Sequence, residues 1–293
     1  MPMINRRDFL AHASMAFGAV AVGMQGAGVH SANPHGKPIG LQLYTLRNEM
    51  ANDLPGTLSK VARIGYREVE LDNFYGKDSR QIRKLLKDNG LSAPSAHYQV
   101  GQIESSWDRQ IEYAVAIGLK YMVNSIVPRD QRDSLDHYKR LADLFNKAAE
   151  QTKKAAIQFC YHNHNFEFKT FGDTTPYDYL LKSSDPKLVK FQMDCFWVTH
   201  AGRDPVEYFK KYPGRFPLLH IKDLNAGNPP TTDFDSRVGL FTEVGRGTID
   251  WKRIFAAAPE GGMNHFYVEQ DRCEIPPLES IKISYDYLHN LTL

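Results

Sequence analysis

From Pro38 onward, short runs of β-branched, aromatic and aliphatic residues alternate with longer segments in which apolar residues recur every three or four positions. The short runs are "IGLQLYTL", "YREVEL", "LSAPSAHY", "LKYMVNSIV", "IQFCYHNH", "LVKFQMDCF", "FPLLHIKDL" and "HFYVEQD". Between them the clearest helix is predicted over 135–156, with Leu141, Leu144, Phe145, Ala148 and Ala149 on one stripe. "NDLPGTLSKVARIG" and "SSWDRQIEYAVAIG" read as two more helices, each stopped by a glycine, Gly65 and Gly118. Strand followed by helix, about eight times over, predicts a parallel sheet with helices outside it. Eight units in roughly 255 residues match the length of a (β/α)8 TIM barrel, whose active site lies at the C-terminal ends of the strands. A doubly wound open sheet is the alternative, but "YTLRNEM" after the first strand lacks the glycine-rich phosphate turn that such sheets carry. No linker interrupts the pattern, so residues 33–293 are read as one domain.

In a barrel the strand ends carry the chemistry. The first offers Gln42 and Tyr44, the second Glu70, the third His97 and the fourth Asn124. The fifth offers His162, Asn163, His164 and, just beyond, Glu167; the sixth Asp194; the seventh His220 and Lys222; the eighth Glu269. Alternate residues of a strand share a face, so Gln192 with Asp194, His220 with Lys222, and Tyr267 with Glu269 point the same way. Taken singly, each is more simply a hydrogen-bonded rim residue. Together, a carboxylate, an imidazole and a carboxylate on three adjacent strands, joined by His162 or Glu167, form a mixed N/O set suited to Mn²⁺, Zn²⁺, Co²⁺ or Fe²⁺, with Mn²⁺ favoured. Glu167 and His164 are candidates for moving a substrate proton, followed by His97. Lys222 is read either as stabilising an oxyanion or as balancing the charge of Glu269 or Asp194. Among nearby aromatics Tyr44 and especially Trp197 are candidates for stacking on a sugar face, with Glu70 and His97 also facing the substrate. The long segment 225–249 exceeds ordinary loop length and is expected to act as a lid.

Composition narrows the partners. The 293 residues are 42% hydrophobic and 24% charged, with 36 basic against 34 acidic side chains, so the footprint of a nucleic-acid binder is missing. Cys160, Cys195 and Cys273 have neither disulfide-framework nor zinc-knuckle spacing. At the N-terminus, Arg6 and Arg7 precede Phe9, Leu10 and an Ala/Gly-rich run, which resembles a twin-arginine export signal over residues 1–32 and implies a periplasmic mature protein. That run is too weakly apolar for a permanent membrane span. Its removal leaves 34 basic and 33 acidic residues.

The succession "YHNHNFEF", "MDCFW", "HIKD", "VGRGTIDW" and "VEQD" resembles the sugar phosphate isomerase/epimerase superfamily, the xylose isomerase-like TIM barrels. The resemblance implies a divalent-metal enzyme that removes a proton next to a carbonyl. In the ketose 3-epimerases the metal is held by Glu, Asp, His and Glu on strands five to eight; Asp194, His220 and Glu269 match the last three, while His162 stands at the first. Losing that glutamate removes one of the two acid/base carboxylates those epimerases use, which leaves Glu167 as the expected substitute. A second branch eliminates the C1 substituent of 3-keto-glycosides by the same enolate chemistry. An exported enzyme is expected to meet an unphosphorylated carbohydrate. Isomerase or epimerase, 3-keto-glycoside lyase, and a non-catalytic sugar-binding partner of a dehydrogenase are therefore the expectations, with self-association left open. An apurinic-site endonuclease on the same barrel is disfavoured by the balanced charge.

Overall fold

A computed structural model describes residues 36–234 and 239–293; the predicted export signal lies outside them. Eight strands form the frame: β1 (Gly40–Gln42), β2 (Glu68–Leu71), β3 (Ser92–Tyr98), β4 (Tyr121–Asn124), β5 (Gln158–His162), β6 (Val189–Asp194), β7 (Leu218–Ile221) and β8 (His265–Val268). Every strand pairs in parallel with both neighbours, and β1 closes against β8, so the sheet is a barrel and not an open doubly wound sheet.

Side-chain alternation divides the strands between two environments. Val123, Cys160, Leu218 and Tyr267 fill the barrel interior as a small apolar plug. Two residues further along their strands, Cys160, Leu218 and Tyr267 are succeeded by His162, His220 and Glu269, so the interior turns polar towards the C-terminal end. Outward-facing Phe159 and Tyr161 instead pack on Phe145 of the neighbouring helix, with ring centroids 5.4 and 5.3 Å away.

That helix, Leu135–Lys154, buries Tyr138, Leu141, Ala142, Phe145, Ala148, Ala149 and Thr152 on one stripe. It stops two residues short of the predicted end because Ala156 adopts a φ of 57°. The helix Leu54–Ile64 begins where the Asp53 carboxylate accepts the Gly56 N–H and ends at Gly65. Gly65 has a φ of 129°, and a Cβ there would lie 2.3 Å from Cζ of Tyr285, so both backbone and packing require glycine. Gly118, with a φ of 96°, ends the helix Val100–Ile117.

The segment after β7 is clasped at its base. Asp223–Leu224 pairs antiparallel with Phe241–Thr242, and the Asp223 carboxylate accepts N–H bonds from Gly245 (2.8 Å), Ile249 (3.2 Å) and the Trp251 indole (3.0 Å). Gly247 passes so close that a Cβ would lie 2.2 Å from that carboxylate. Among the described residues no helix is long and apolar enough to cross a membrane.

Candidate active site

A cavity of about 420 Å³ opens at the C-terminal ends of the strands, with Tyr44, His97, His162, His164, Lys222 and Glu269 in its lining. Beneath it lies Glu70, fully buried and predicted to face substrate but absent from the cavity wall. Its carboxylate accepts hydrogen bonds from Gln42 Nε2 (2.8 Å), Gln192 Nε2 (2.7 Å) and Ser95 Oγ, and pairs with His220 Nε2 (2.6 Å) and His97 Nε2 (3.0 Å). Burial works against its charge, but the two imidazoles hold Glu70 well below the usual carboxylate range. Glu70 is thus an organising anion, not a substrate contact.

His220 is held between carboxylates, with Nε2 on Glu70 and Nδ1 2.8 Å from Glu269 Oε2. Burial alone would depress it; Glu269 and Glu70 instead push it up to about 9. Lys222 lies in the same layer, with Nζ 2.6 Å from Glu269 Oε2, 2.7 Å from Asp271 Oδ1 and 3.1 Å from Asp194 Oδ2. These contacts overcome desolvation and keep the ammonium charged. Asp194 is pushed up to about 6 by burial, against the pull of Lys222 and His220.

Hydrogen-bond logic fixes the orientation of His162. Gln192 donates Nε2–H to Glu70, so its Oε1 is the acceptor for both His97 Nε2 (2.8 Å) and His162 Nδ1 (2.9 Å). Burial and the neighbouring His220 hold His162 neutral, with its proton on Nδ1. Its Nε2 lone pair then faces Asp194 Oδ2 at 3.7 Å, an oxygen whose near neighbour on the other side is the Lys222 ammonium at 3.1 Å. Two acceptors thus face each other across a gap suited to a cation, and only the Asp194 side of it is met by a positive group.

The donor set fits a divalent ion. Ligand atoms of Asp194, His220 and Glu269 lie within 4.8 Å of one another, and His162 Nε2 borders the same space. His220 would offer Nδ1 while its Nε2–H remained on Glu70, the carboxylate–imidazole arrangement that orients metal-binding histidines. His97, His162 and His220 form another close trio, but its nitrogens include those already committed to Glu70 and Gln192.

Glu167 does not join this cluster, in contrast to its predicted roles as ligand and base. Beyond β5 the chain turns into a short 3-10 segment, Phe166–Phe168, and the strand's alternation lapses. The Glu167 carboxylate accepts from the outward-facing Tyr161 hydroxyl and from the His164 N–H (2.9 Å), which fastens the turn that presents His164. Burial raises Glu167 from 4.5 to about 7, despite those two donors. Between those values the native protein holds a proton that the unfolded chain has released, so the contribution is full below 4.5 and is lost as pH rises to about 7. Glu167→Gln is expected to flatten the fall in unfolding free energy across this window in urea titrations; an unchanged slope would assign the pH dependence elsewhere.

Trp197, predicted to stack on a sugar, is fully buried and outside the cavity lining. It backs His164 and Phe234, with ring centroids 5.7 and 5.3 Å away. Phe234 and Tyr44 are both exposed aromatics on the cavity wall, with the Arg47 guanidinium over the Tyr44 ring. Asp271, Asp72 and Arg47 are lining residues the strand-end reading missed. Asp271 had a legible signal, since it follows Glu269 by two residues in "VEQD".

A family model described as the xylose isomerase-like TIM barrel matches residues 58–291. The inosose dehydratase of Geobacillus kaustophilus is 27% identical, covering 82% of this chain and 91% of that one. The inosose dehydratase of Lacticaseibacillus casei is 24% identical, covering 79% of this chain and 87% of its own. Among solved structures, a sugar phosphate isomerase/epimerase from Parabacteroides distasonis matches with a TM-score of 0.73 at 29% identity, covering 86% of this chain and 93% of the other. The chain belongs to the xylose isomerase-like TIM barrel family.

Proposed function

We propose that the chain is a divalent-metal-dependent lyase of unphosphorylated keto-sugars or cyclic keto-polyols. It removes a proton next to a carbonyl and expels the oxygen substituent on the following carbon. The observation that carries this reading is the β5 side of the cavity, which presents the imidazoles of His162 and His164 while Glu167 is turned away. Epimerisation through two carboxylates on opposite faces of a substrate is poorly served by that wall. Elimination needs one base and one acid for the departing oxygen, and two relatives named as dehydratases support it.

Asp194, His220, Glu269 and His162 would hold the ion, which supplies polarisation of the substrate carbonyl when bound. His164 is kept neutral by burial and by Lys222 and Arg132, and its ring lines the cavity, so it is placed to accept the proton. His97 is held charged against Glu70 in spite of burial, and with Nε2 engaged it offers Nδ1 to the departing oxygen. The two rings flank His162 at centroid distances of 5.3 and 5.0 Å. Their opposed protonation tendencies match the separation of acid and base that such a reaction uses. Arg47, Lys222 and Arg272 face Asp72, Glu269 and Asp271 around the cavity, a balance that favours a neutral substrate over a phosphorylated one. Placement in the periplasm rests on residues 1–32 alone.

The test is NMR in D₂O with Mn²⁺ and, separately, a 3-keto-glucoside, an inosose and a free ketohexose. Loss of aglycone or water with formation of an unsaturated ketone is expected. Deuterium beside the carbonyl of an otherwise intact sugar would replace the lyase with an isomerase or epimerase, the reading favoured by the name of the Parabacteroides relative. Reaction with none of the three would favour a sugar-binding role.

A further inference from the structure

We propose that Lys222 is a resident counter-cation of the metal site, displaced towards Asp271 when a divalent ion binds, so that Lys222 and Asp271 together set metal affinity. This rests on the metal reading above and concerns residues that strand-end chemistry does not use as ligands.

Lys222 Nζ contacts Glu269 Oε2 at 2.6 Å and Asp194 Oδ2 at 3.1 Å. Asp194 Oδ2 is the oxygen that faces His162 Nε2, and Glu269 Oε2 is the oxygen 2.8 Å from His220 Nδ1. The ammonium therefore leans on the same oxygens that a divalent ion would take. Two cations cannot share those atoms closely, because like charges at such short range repel.

Lys222 also has an alternative partner that the ligand set does not need. Asp271 Oδ1 lies 2.7 Å from Nζ and receives a hydrogen bond from it. Asp271 is itself on the cavity wall, two residues past Glu269. A small swing of the long, flexible lysine stem towards Asp271 would clear Asp194 and Glu269 without leaving a buried ammonium unpaired. The Lys222 ammonium lies 5.7 Å from the centroid of the Trp197 ring, which gives the charge further support on that side. The same lysine neutralises three carboxylates that would otherwise repel one another.

The experiment is calorimetric titration of Mn²⁺ into EDTA-stripped, dialysed protein, with thermal melting in the absence of metal to confirm folding. Lys222→Gln is expected to bind Mn²⁺ at least about tenfold more tightly than the parent protein, since one competing charge is gone. Asp271→Asn is expected to bind several-fold more weakly, because Lys222 loses its alternative partner. The double variant separates displacement from plain through-space charge: with Lys222 absent, Asp271→Asn is expected to have little further effect. An equal loss from Asp271→Asn in both backgrounds would overturn the proposal, as would affinity in Lys222→Gln no tighter than in the parent. Should Lys222→Gln not fold, Lys222→Met takes its place in the same cycle, and unchanged affinity in Asp271→Asn overturns the idea by itself. Absence of Mn²⁺ binding in the parent as well would instead sink the metal reading on which it rests.

Discussion

Glu269→Gln is expected to lower metal-dependent turnover by at least about a hundredfold, since weakening only the groups that orient metal ligands already costs 10–100-fold. The carboxamide is nearly isosteric, so the barrel remains folded and the loss reports chemistry. What disappears is the negative charge at Oε2, the atom shared by His220 at 2.8 Å and Lys222 at 2.6 Å. His220 then has less reason to turn Nδ1 towards the cavity, and Asp194 is left as the only carboxylate among the four proposed ligands. The comparison is of initial rates at saturating Mn²⁺ with circular dichroism as the control; near-parental turnover in a folded variant would refute the site assignment.

Glu70→Gln is expected to act by a different route, through stability. Removing one partner from a buried ion pair costs about 3–5 kcal/mol, because the remaining charge has lost its compensation. Here one carboxylate compensates His97, shares His220 with Glu269, and also orders Gln42, Ser95 and Gln192. A carboxamide would also place N–H groups against side chains that already donate. Chemical denaturation should show the loss, accompanied by Mn²⁺ binding about 10–100-fold weaker as His220 loses its orientation. A variant as stable as the parent would mean that the histidines shed their protons at little cost, and that Glu70 is not the anchor of the cluster.

The contrast between these two glutamates shows what the linear sequence carried. Both follow from strand periodicity: each lies at the C-terminal end of a strand and points inward. Periodicity placed them on the correct face, but it does not give depth. Glu70 is inside β2, one layer below the opening, whereas Glu269 lies one residue beyond β8 and reaches the cavity. Depth depends on the stagger between strands, for example on the register that sets Gln192 beside His162 and Asp194 beside His220. Glu167 failed for another reason. Five residues after His162 and beyond the strand, it obeys the geometry of a turn, and its partner Tyr161 belongs to the opposite face. Trp197 follows Asp194 directly into a helix, Cys195–His200, whose N-terminus the Asp194 carboxylate caps at the Trp197 N–H. The indole at the start of that helix lies buried behind the wall, leaving Phe234 and Tyr44 to present aromatic surface.

The Asp223 clasp has a consequence for how such a barrel diversifies. Because one carboxylate gathers the N–H groups of Gly245, Ile249 and Trp251, the two ends of the segment after β7 are fixed to each other before its interior is specified. Chain added or exchanged between those ends pays only the slowly growing entropy of a closed loop. The segment is in effect a cassette: its interior, which includes Phe234, can be rewritten by evolution or transplanted by design to retune substrate preference, while the eight strands and their buried charges stay as they are.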